Sequence, residues 1–202
     1  VELVGRMGTG GSHLLDAAEA LRTTDSAVKV STVTIDLPAA DGGAVREVRI
    51  SGIAKGVGMI HPQMATMLSV LLTDAVIDPR TLHGILRVAA AQTWNQLSVD
   101  GDTSTNDTVF ALASGAAGIA AVTPGSPAAA TFAAAVHAVA RDLARQQAAD
   151  GEGATTLITC QVSSAVDDAD ARAIARSVIS SSLVKAAVHG RAPHWGRIAA
   201  AA

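Results

Sequence analysis

The segment KGVGMIHPQMATML, residues 55–68, contains the residue type and spacing best suited to chemistry. It places Thr66 directly after the small residue Ala65. A threonine hydroxyl becomes an effective nucleophile when a base lies beside it, and an N-terminal threonine carries that base in its own α-amino group. Thr66 could gain this amine by attacking the Ala65 carbonyl, which forms an ester that water then hydrolyses. On spacing alone, however, a helix N-cap is the commoner use of such a threonine.

Three further motifs carry polar or charged side chains, and the composition leaves small anionic or zwitterionic ligands possible. Lys55 is a point charge that can pair with a carboxylate. Glu152 lies between two glycines in GEGAT, where a carboxylate could contact an ammonium group, and Thr23 begins the sequence TTD. Each has an ordinary alternative: a solvated lysine, a loop before a strand, and a turn that ends a helix.

The polar segment DGDTSTND, residues 100–107, resembles a calcium loop at first sight. The calcium template fails, because Thr105 stands where glycine is required and Ala111 where a bidentate glutamate is required. Side chains that bond their own backbone explain the segment better, so we predict a structural role near the site. No pair of histidines or cysteines has metal-ligand spacing, and no metal site is predicted.

The elements that must position these residues follow from periodicity and capping signals. The pattern predicts helices over 12–22, 79–97, 128–149 and 167–181, a hairpin of 27–37 with 44–54, and strands over 154–163 and 183–190. The apolar run 64–77 is interpreted as a helix with a strand-like tail, and 108–122 is ambiguous between strand and helix. The order favours an α/β or α+β layered fold, with a mixed sheet and packed helices, over a doubly wound sheet.

Composition narrows the function classes. The 202 residues carry a net charge of -3 without a block of Lys or Arg, which argues against a nucleic-acid surface. No stretch is apolar enough to span a bilayer. The single cysteine, Cys160, excludes an intramolecular disulfide, and no signal-peptide pattern is present, so a cytoplasmic location is expected.

Several blocks in order along the chain resemble one enzyme family. GIAKGVGMIHPQMATML, LTDA, VDGDTSTNDTV, DGEGAT and PHWGR are similar to the ornithine acetyltransferase family, also called bifunctional glutamate N-acetyltransferase, from about Thr23 to the end. The resemblance implies an N-terminal-nucleophile-like enzyme that cleaves itself between Ala65 and Thr66. Residues 1–65 would then be the C-terminal part of an α chain, and residues 66–202 a β chain that begins at the nucleophile.

The resemblance also implies an activity and a set of binding residues. Thr66 would accept the acetyl group of N-acetylornithine and pass it to glutamate, releasing ornithine. Thr23, Lys55, Thr66 and Glu152 would contact the substrates. No metal or dissociable cofactor is implied, although acetyl-coenzyme A is an alternative donor, and two cleaved pairs would associate as α2β2.

The chain departs from the family pattern at several points. Members of the family are longer at both ends, so the sequence is expected to be incomplete at both. Gly8-Thr9-Gly10 lies too close to TTD to supply the expected oxyanion hole, and Ala192 and His194 replace an aspartate and an asparagine. Two other interpretations stay open: an N-terminal-threonine amidohydrolase resembling an aminopeptidase, and a catalytically silent truncated relative that binds an amino acid or a partner.

Overall fold

A four-stranded mixed sheet forms the centre of the protein. The structure, a computed structural model, describes Gly8, residues 10–61 and residues 67–202. In the sheet, each strand pairs with the next one along the chain; the strands are β1 (Lys29–Leu37), β2 (Arg46–Lys55), β3 (Leu68–Thr73) and β4 (Thr108–Ala113). The first two pairings are antiparallel, and β3 pairs with β4 in parallel. Helices pack on this sheet, which confirms the predicted layered α/β class.

The predicted hairpin is the β1–β2 pair. Its register places Lys29 opposite Ala54 and Leu37 opposite Arg46. Asp41 Oδ1 accepts a hydrogen bond from the Gly43 amide over 3.0 Å and so shapes the turn between the strands.

The parallel pair needs a crossover, and α2 (Pro79–Gln92) lies within it. Asp78 caps this helix by accepting hydrogen bonds from the amides of Arg80 and Thr81, while proline occupies the first turn. The predicted start of the helix is therefore confirmed. The structure ends the α-helix at Gln92 and continues with a short 3-10 turn, Trp94–Gln96.

The long helix α3 (Pro127–Ala149) packs across β1 and β2 and forms much of the core. Phe132, Val139 and Leu143 are fully buried on its inner face. The helix approaches β2 so closely that a Cβ added to Gly52 would lie 2.7 Å from Leu143 Cδ1. Only glycine fits there without displacing core side chains.

Four shorter helices complete the described chain: α1 (Gly11–Leu21), α4 (Asp168–Ser180), α5 (Ser182–His189) and α6 (Trp195–Ala201). The predicted helices over 12–22 and 167–181 are confirmed as α1 and α4. Asp167 caps α4 by accepting the Asp170 amide over 2.8 Å.

Three predictions from the sequence were wrong for the residues that the structure describes. The run 64–77 forms β3 over Leu68–Thr73, because its leucines and Val70 add to the sheet beside β2. Residues 183–190 fall mostly within α5, where the Ser181 cap and the helical spacing of buried Val184 and Ala187 outweigh strand propensity. Residues 154–163 form no strand, since no neighbouring strand in the described chain pairs with them.

The ambiguous run 108–122 divides into β4 and a glycine-containing turn. Gly115 and Gly118 both have positive φ, at 72° and 66°, which ends the extended conformation after Ala113. Across the ranges that the structure covers, no helix combines the length and apolar character needed to cross a membrane.

Candidate active site

Three of the predicted substrate-binding residues lie close together at the end of β2. Lys55, the last residue of that strand, donates from Nζ to Thr23 Oγ1 over 3.5 Å. The adjacent hydroxyl, Thr24 Oγ1, donates to Glu152 Oε1 over 3.1 Å. A cation and an anion therefore flank one pair of threonines, which suits a small ligand bearing both an acid and an amine.

The backbone of Lys55 is fixed by a buried side chain from α3. Gln147 Nε2 donates to the Lys55 carbonyl over 2.9 Å, and Gln147 Oε1 accepts from Trp94 Nε1 over 2.8 Å. Gln147 is fully buried and Trp94 is only 1% exposed. The two buried hydrogen bonds of Gln147 thus set the position of the strand end that carries Lys55.

Glu152 is held against the chain that follows β2. Its amide donates to the Val57 carbonyl over 2.7 Å. Its carboxylate lies over Gly58, where an added Cβ would be 2.9 Å from Glu152 Cδ and about 3 Å from both carboxylate oxygens. Gly58 therefore leaves the space that the Glu152 side chain occupies.

We expect Gly58→Ala to displace the Glu152 carboxylate while leaving the fold intact. The clash involves the end of a flexible side chain, so the free energy of unfolding should change by less than about 1 kcal/mol. If Glu152 contacts an ammonium group of the ligand, as the family resemblance implies, calorimetry with ornithine should show affinity reduced about tenfold, since a charge-assisted hydrogen bond is worth roughly 1.5–3 kcal/mol. Gly84→Ala, at an exposed position of α2 with open space at its Cβ, is the matched control. Unchanged affinity in Gly58→Ala would remove Glu152 from the site.

A buried ion network lies directly beneath these residues. Lys29 Nζ donates to Asp25 Oδ1 over 2.7 Å and to Asp150 Oδ2 over 2.6 Å. Asp25 Oδ1 also accepts the Gly56 amide over 2.8 Å, and Asp150 Oδ2 accepts the Ser26 amide over 3.0 Å. The Ser26 hydroxyl donates to the other Asp150 oxygen.

Both carboxyls of this network stay ionised well into the acid range. Burial alone would raise the pKa of Asp25, but hydrogen bonds from Lys29 and from the Gly56 and Thr23 amides together lower it. Burial likewise opposes ionisation of Asp150, while Lys29 and Ser26 lower its pKa overall. The network is therefore a charged one at neutral pH.

Residues 100–107 hold the backbone on both sides of the predicted cleavage segment. Asp100 accepts the Met59 amide over 2.6 Å and the Ile60 amide over 3.1 Å. Asp107 accepts the Met67 amide over 2.7 Å, and burial raises the pKa of Asp107 despite that bond. The segment thus has the structural role predicted for it. The predicted cleavage residues Ala65 and Thr66 lie outside the described residues.

The polar side chains within 100–107 also bond their own backbone, as predicted. Asp100 Oδ1 accepts the Asp102 amide, and Ser104 Oγ accepts the Asn106 amide, each within 3.2 Å. Among the residues that the structure describes, no cluster of three His, Cys, Asp or Glu is placed to hold a metal ion.

A cleft of about 690 Å³ opens beside Glu152, between α3, residues 154–162 and helices α4 and α5. Neither Thr23 nor Lys55 lines it. The hydrogen-bond geometry therefore locates the candidate site better than the cleft does, since Lys55 bonds Thr23 and the adjacent Thr24 bonds Glu152.

Sequence reasoning missed the residues beneath the site. Lys29, Asp25 and Asp150 were passed over because nothing local shows that positions more than 120 residues apart meet. One signal was present: a lysine begins an otherwise apolar alternation, four residues after an aspartate. On a helix, that spacing favours an ion pair. Here the same pair forms across the turn that leads into β1.

The sequence comparisons with known proteins agree on one family. The sequence profile of the ArgJ family matches residues 2–202. The arginine biosynthesis bifunctional protein ArgJ of a Synechococcus species is 53% identical over 186 residues, which is 92% of this chain and 43% of that protein. The chloroplastic protein of the same name from Oryza sativa subsp. indica is 48% identical, covering 98% of this chain and 42% of its own.

A solved structure agrees with these relatives. The crystal structure of the arginine biosynthesis bifunctional protein ArgJ from Bacillus halodurans superimposes with a TM-score of 0.66 at 46% identity, covering 67% of this chain and 64% of that one. The chain spans less than half the length of the curated relatives above. The family resemblance inferred from the motifs is confirmed, and the chain belongs to the ArgJ family.

Proposed function

We propose that the protein is a self-cleaving acetyltransferase that moves an acetyl group from N-acetylornithine to glutamate through an ester on Thr66. The main support is the convergence of Thr23, Lys55 and Glu152 at the end of β2, in a chain of the ArgJ family. The relatives named arginine biosynthesis bifunctional protein ArgJ also support this proposal.

The first step of the proposal is self-cleavage. The Thr66 hydroxyl attacks the Ala65 carbonyl, the C–N bond breaks, and water hydrolyses the resulting ester to give an Ala65 carboxylate and a free Thr66 amine. On either side of the proposed cut, Asp100 accepts the Ile60 amide and Asp107 accepts the Met67 amide, so the described flanks of the segment are held in place.

The second step is acetyl transfer by a ping-pong route. The Thr66 amine takes the hydroxyl proton, directly or through water, and the oxygen attacks the acetyl carbon of N-acetylornithine. Ornithine leaves with that proton, and the glutamate amine then attacks the acetyl ester and regenerates the hydroxyl. Backbone donors must stabilise each oxyanion, and loss of one such donor typically costs about 10²–10³ in rate.

The binding residues have complementary roles in this scheme. Lys55 would pair with the carboxylate of the amino acid, and Glu152 would contact its ammonium group. Thr23 and Thr24 would supply hydroxyls between the two charges. No metal or dissociable cofactor is needed, acetyl-coenzyme A could replace the donor, and a cytoplasmic location is part of the proposal.

The fold gives a physical reason for the two chains to stay together after cleavage. Strand β2 precedes the proposed cut and β3 follows it, and their ladder runs from Ile50 opposite Thr73 to Lys55 opposite Leu68. Helix α3 also packs on β1 and β2. Separating residues 1–65 from residues 66–202 would expose this core, so we propose a stable αβ pair. From the family resemblance alone, we further propose that two such pairs assemble as α2β2.

Product analysis tests the activity directly. The protein expressed from its complete reading frame is incubated with N-acetylornithine, with and without glutamate, and the products are separated. The proposal predicts N-acetylglutamate and ornithine in equal amounts when glutamate is present. Acetate and ornithine alone would point to a hydrolase, and no turnover to a silent relative.

We expect Lys55→Met to lower kcat/KM for N-acetylornithine about 10- to 100-fold, because one charge-assisted contact is lost. Arg49→Met is the matched control, since Arg49 is an exposed cation on the same strand whose salt bridge is with Glu47. The control should stay within about twofold of wild type. Equal losses in both variants would mean that general charge, and not a contact from Lys55, governs binding.

A further inference from the structure

The buried lysine at the start of β1 connects the three described segments that carry predicted substrate contacts, those of Thr23, Lys55 and Glu152. Lys29 is 1% exposed and is shared by two carboxylates from distant parts of the chain. Asp25 comes two residues after Thr23, and Asp150 comes two residues before Glu152. The Gly56 amide, which Asp25 accepts, directly follows Lys55.

Stability alone is a poor reason for this arrangement. Burying an ammonium and two carboxylates carries a desolvation penalty that apolar packing of similar volume avoids. The ions instead fix the relative positions of the segments, because short charge-assisted hydrogen bonds hold them in one geometry. The network carries one positive and two negative charges, and amides of Thr23, Ser26 and Gly56 satisfy remaining carboxylate lone pairs.

We propose that Lys29 is a positioning residue for substrate binding: through Asp25 and Asp150 it holds residues 23–26 and residues 150–152 in register with the end of β2. The expected effect of Lys29 on KM rests on the proposed function. Its expected effect on the order of residues 23–26 and 150–152 rests on the contacts alone. Lys29 itself touches no substrate. It acts by fixing the separation between the Thr23–Lys55 contact and the Thr24–Glu152 contact.

The kinetic test uses Lys29→Met and Asp150→Asn in the protein expressed from its complete reading frame. Misplaced binding groups should raise KM for N-acetylornithine about tenfold, with kcat within about threefold of wild type. Asp150→Asn is the milder change, because Asp150 lies at the edge of the network with its side chain 16% exposed. In the double variant the losses should not add, since both changes disrupt one network.

Amide hydrogen exchange provides a readout that does not depend on activity. The variants should lose protection at residues 22–26, 56 and 150–152 while β1 and β2 keep theirs. Ser51→Ala is the matched control: it removes the acceptor of another hydrogen bond in the β1–β2 hairpin, which the Thr32 hydroxyl donates to Ser51 Oγ over 2.9 Å. It should lower stability slightly without changing KM or the exchange of those three segments.

The outcomes separate the inference from the proposed function. If wild type transfers no acetyl group, the proposed function fails, and the exchange pattern alone decides the role of Lys29. If Lys29→Met does not fold, Asp150→Asn decides. Unchanged KM together with unchanged local exchange in a folded variant would overturn the inference. A uniform loss of protection without a KM shift would reduce Lys29 to an ordinary structural ion pair.

Discussion

Thr66→Ala is expected to remain one uncut chain and to form no acetyl-enzyme. Alanine lacks the hydroxyl that attacks the Ala65 carbonyl, and without cleavage no N-terminal amine is produced. Both reactions should therefore fall to background, a larger loss than any binding substitution can cause. Intact-mass measurement after purification, and again after incubation with N-acetylornithine, reads out both steps.

Two further variants make this result specific. Thr66→Ser keeps a hydroxyl and should restore measurable cleavage. Thr131→Ala changes an exposed threonine on α3 whose hydroxyl only bonds the Pro127 carbonyl, so its processing should match wild type. Cleaved, acetylated Thr66→Ala protein would contradict the assignment of the nucleophile.

Gln147→Leu is expected to lower the free energy of unfolding by about 2–4 kcal/mol, since each stranded polar group costs roughly 1–3 kcal/mol. The substitution keeps a similar volume but leaves the Trp94 indole N–H and the Lys55 carbonyl without their partner. Among the described residues, no buried side-chain nitrogen or oxygen lacks a hydrogen bond, so the variant creates a defect that the native core avoids.

The stability measurement is cleanest in the Thr66→Ala background. A single uncut chain cannot dissociate into α and β fragments, which removes that source of concentration dependence, and all variants are compared at one protein concentration. Gln161→Leu, at an exposed position, is the control and should change stability by no more than about 0.5 kcal/mol. Equal stabilities for the two variants would show that the buried hydrogen bonds of Gln147 contribute nothing to the free energy of unfolding.

The sequence predicted the elements whose signals are local. Helices α2 and α4 each follow an aspartate that caps them in the structure, and an apolar stripe marks their buried faces. The hairpin was predictable because alternation and a turn at residues 41–43 agree. In each case the decisive contacts lie within a few residues, so they leave a readable pattern.

The failures fall where distant contacts decide. Residues 154–163 alternate like a strand, but a strand needs a neighbour, and none in the described chain is available. Residues 183–190 carry a short apolar run whose period does not distinguish helix from strand. Packing of Val184 and Ala187 settles it as a helix.

The candidate site shows the same division. Family motifs identified Thr23, Lys55 and Glu152, and the structure places these residues at one strand end. The neighbouring Thr24, which was not among the predicted contacts, donates its hydroxyl to Glu152. The sequence carries only a local signal for the Asp25–Lys29 pair beneath them and none for Asp150, since Lys29 and Asp150 are 121 positions apart.

Intact mass of the purified protein, before and after incubation with N-acetylornithine, tests the central claim most directly. We predict two fragments, the second beginning at Thr66, and a mass increase of one acetyl group confined to that second fragment. Addition of glutamate should remove the acetyl group. A single uncut chain, or two fragments of which neither is acetylated, would contradict the account.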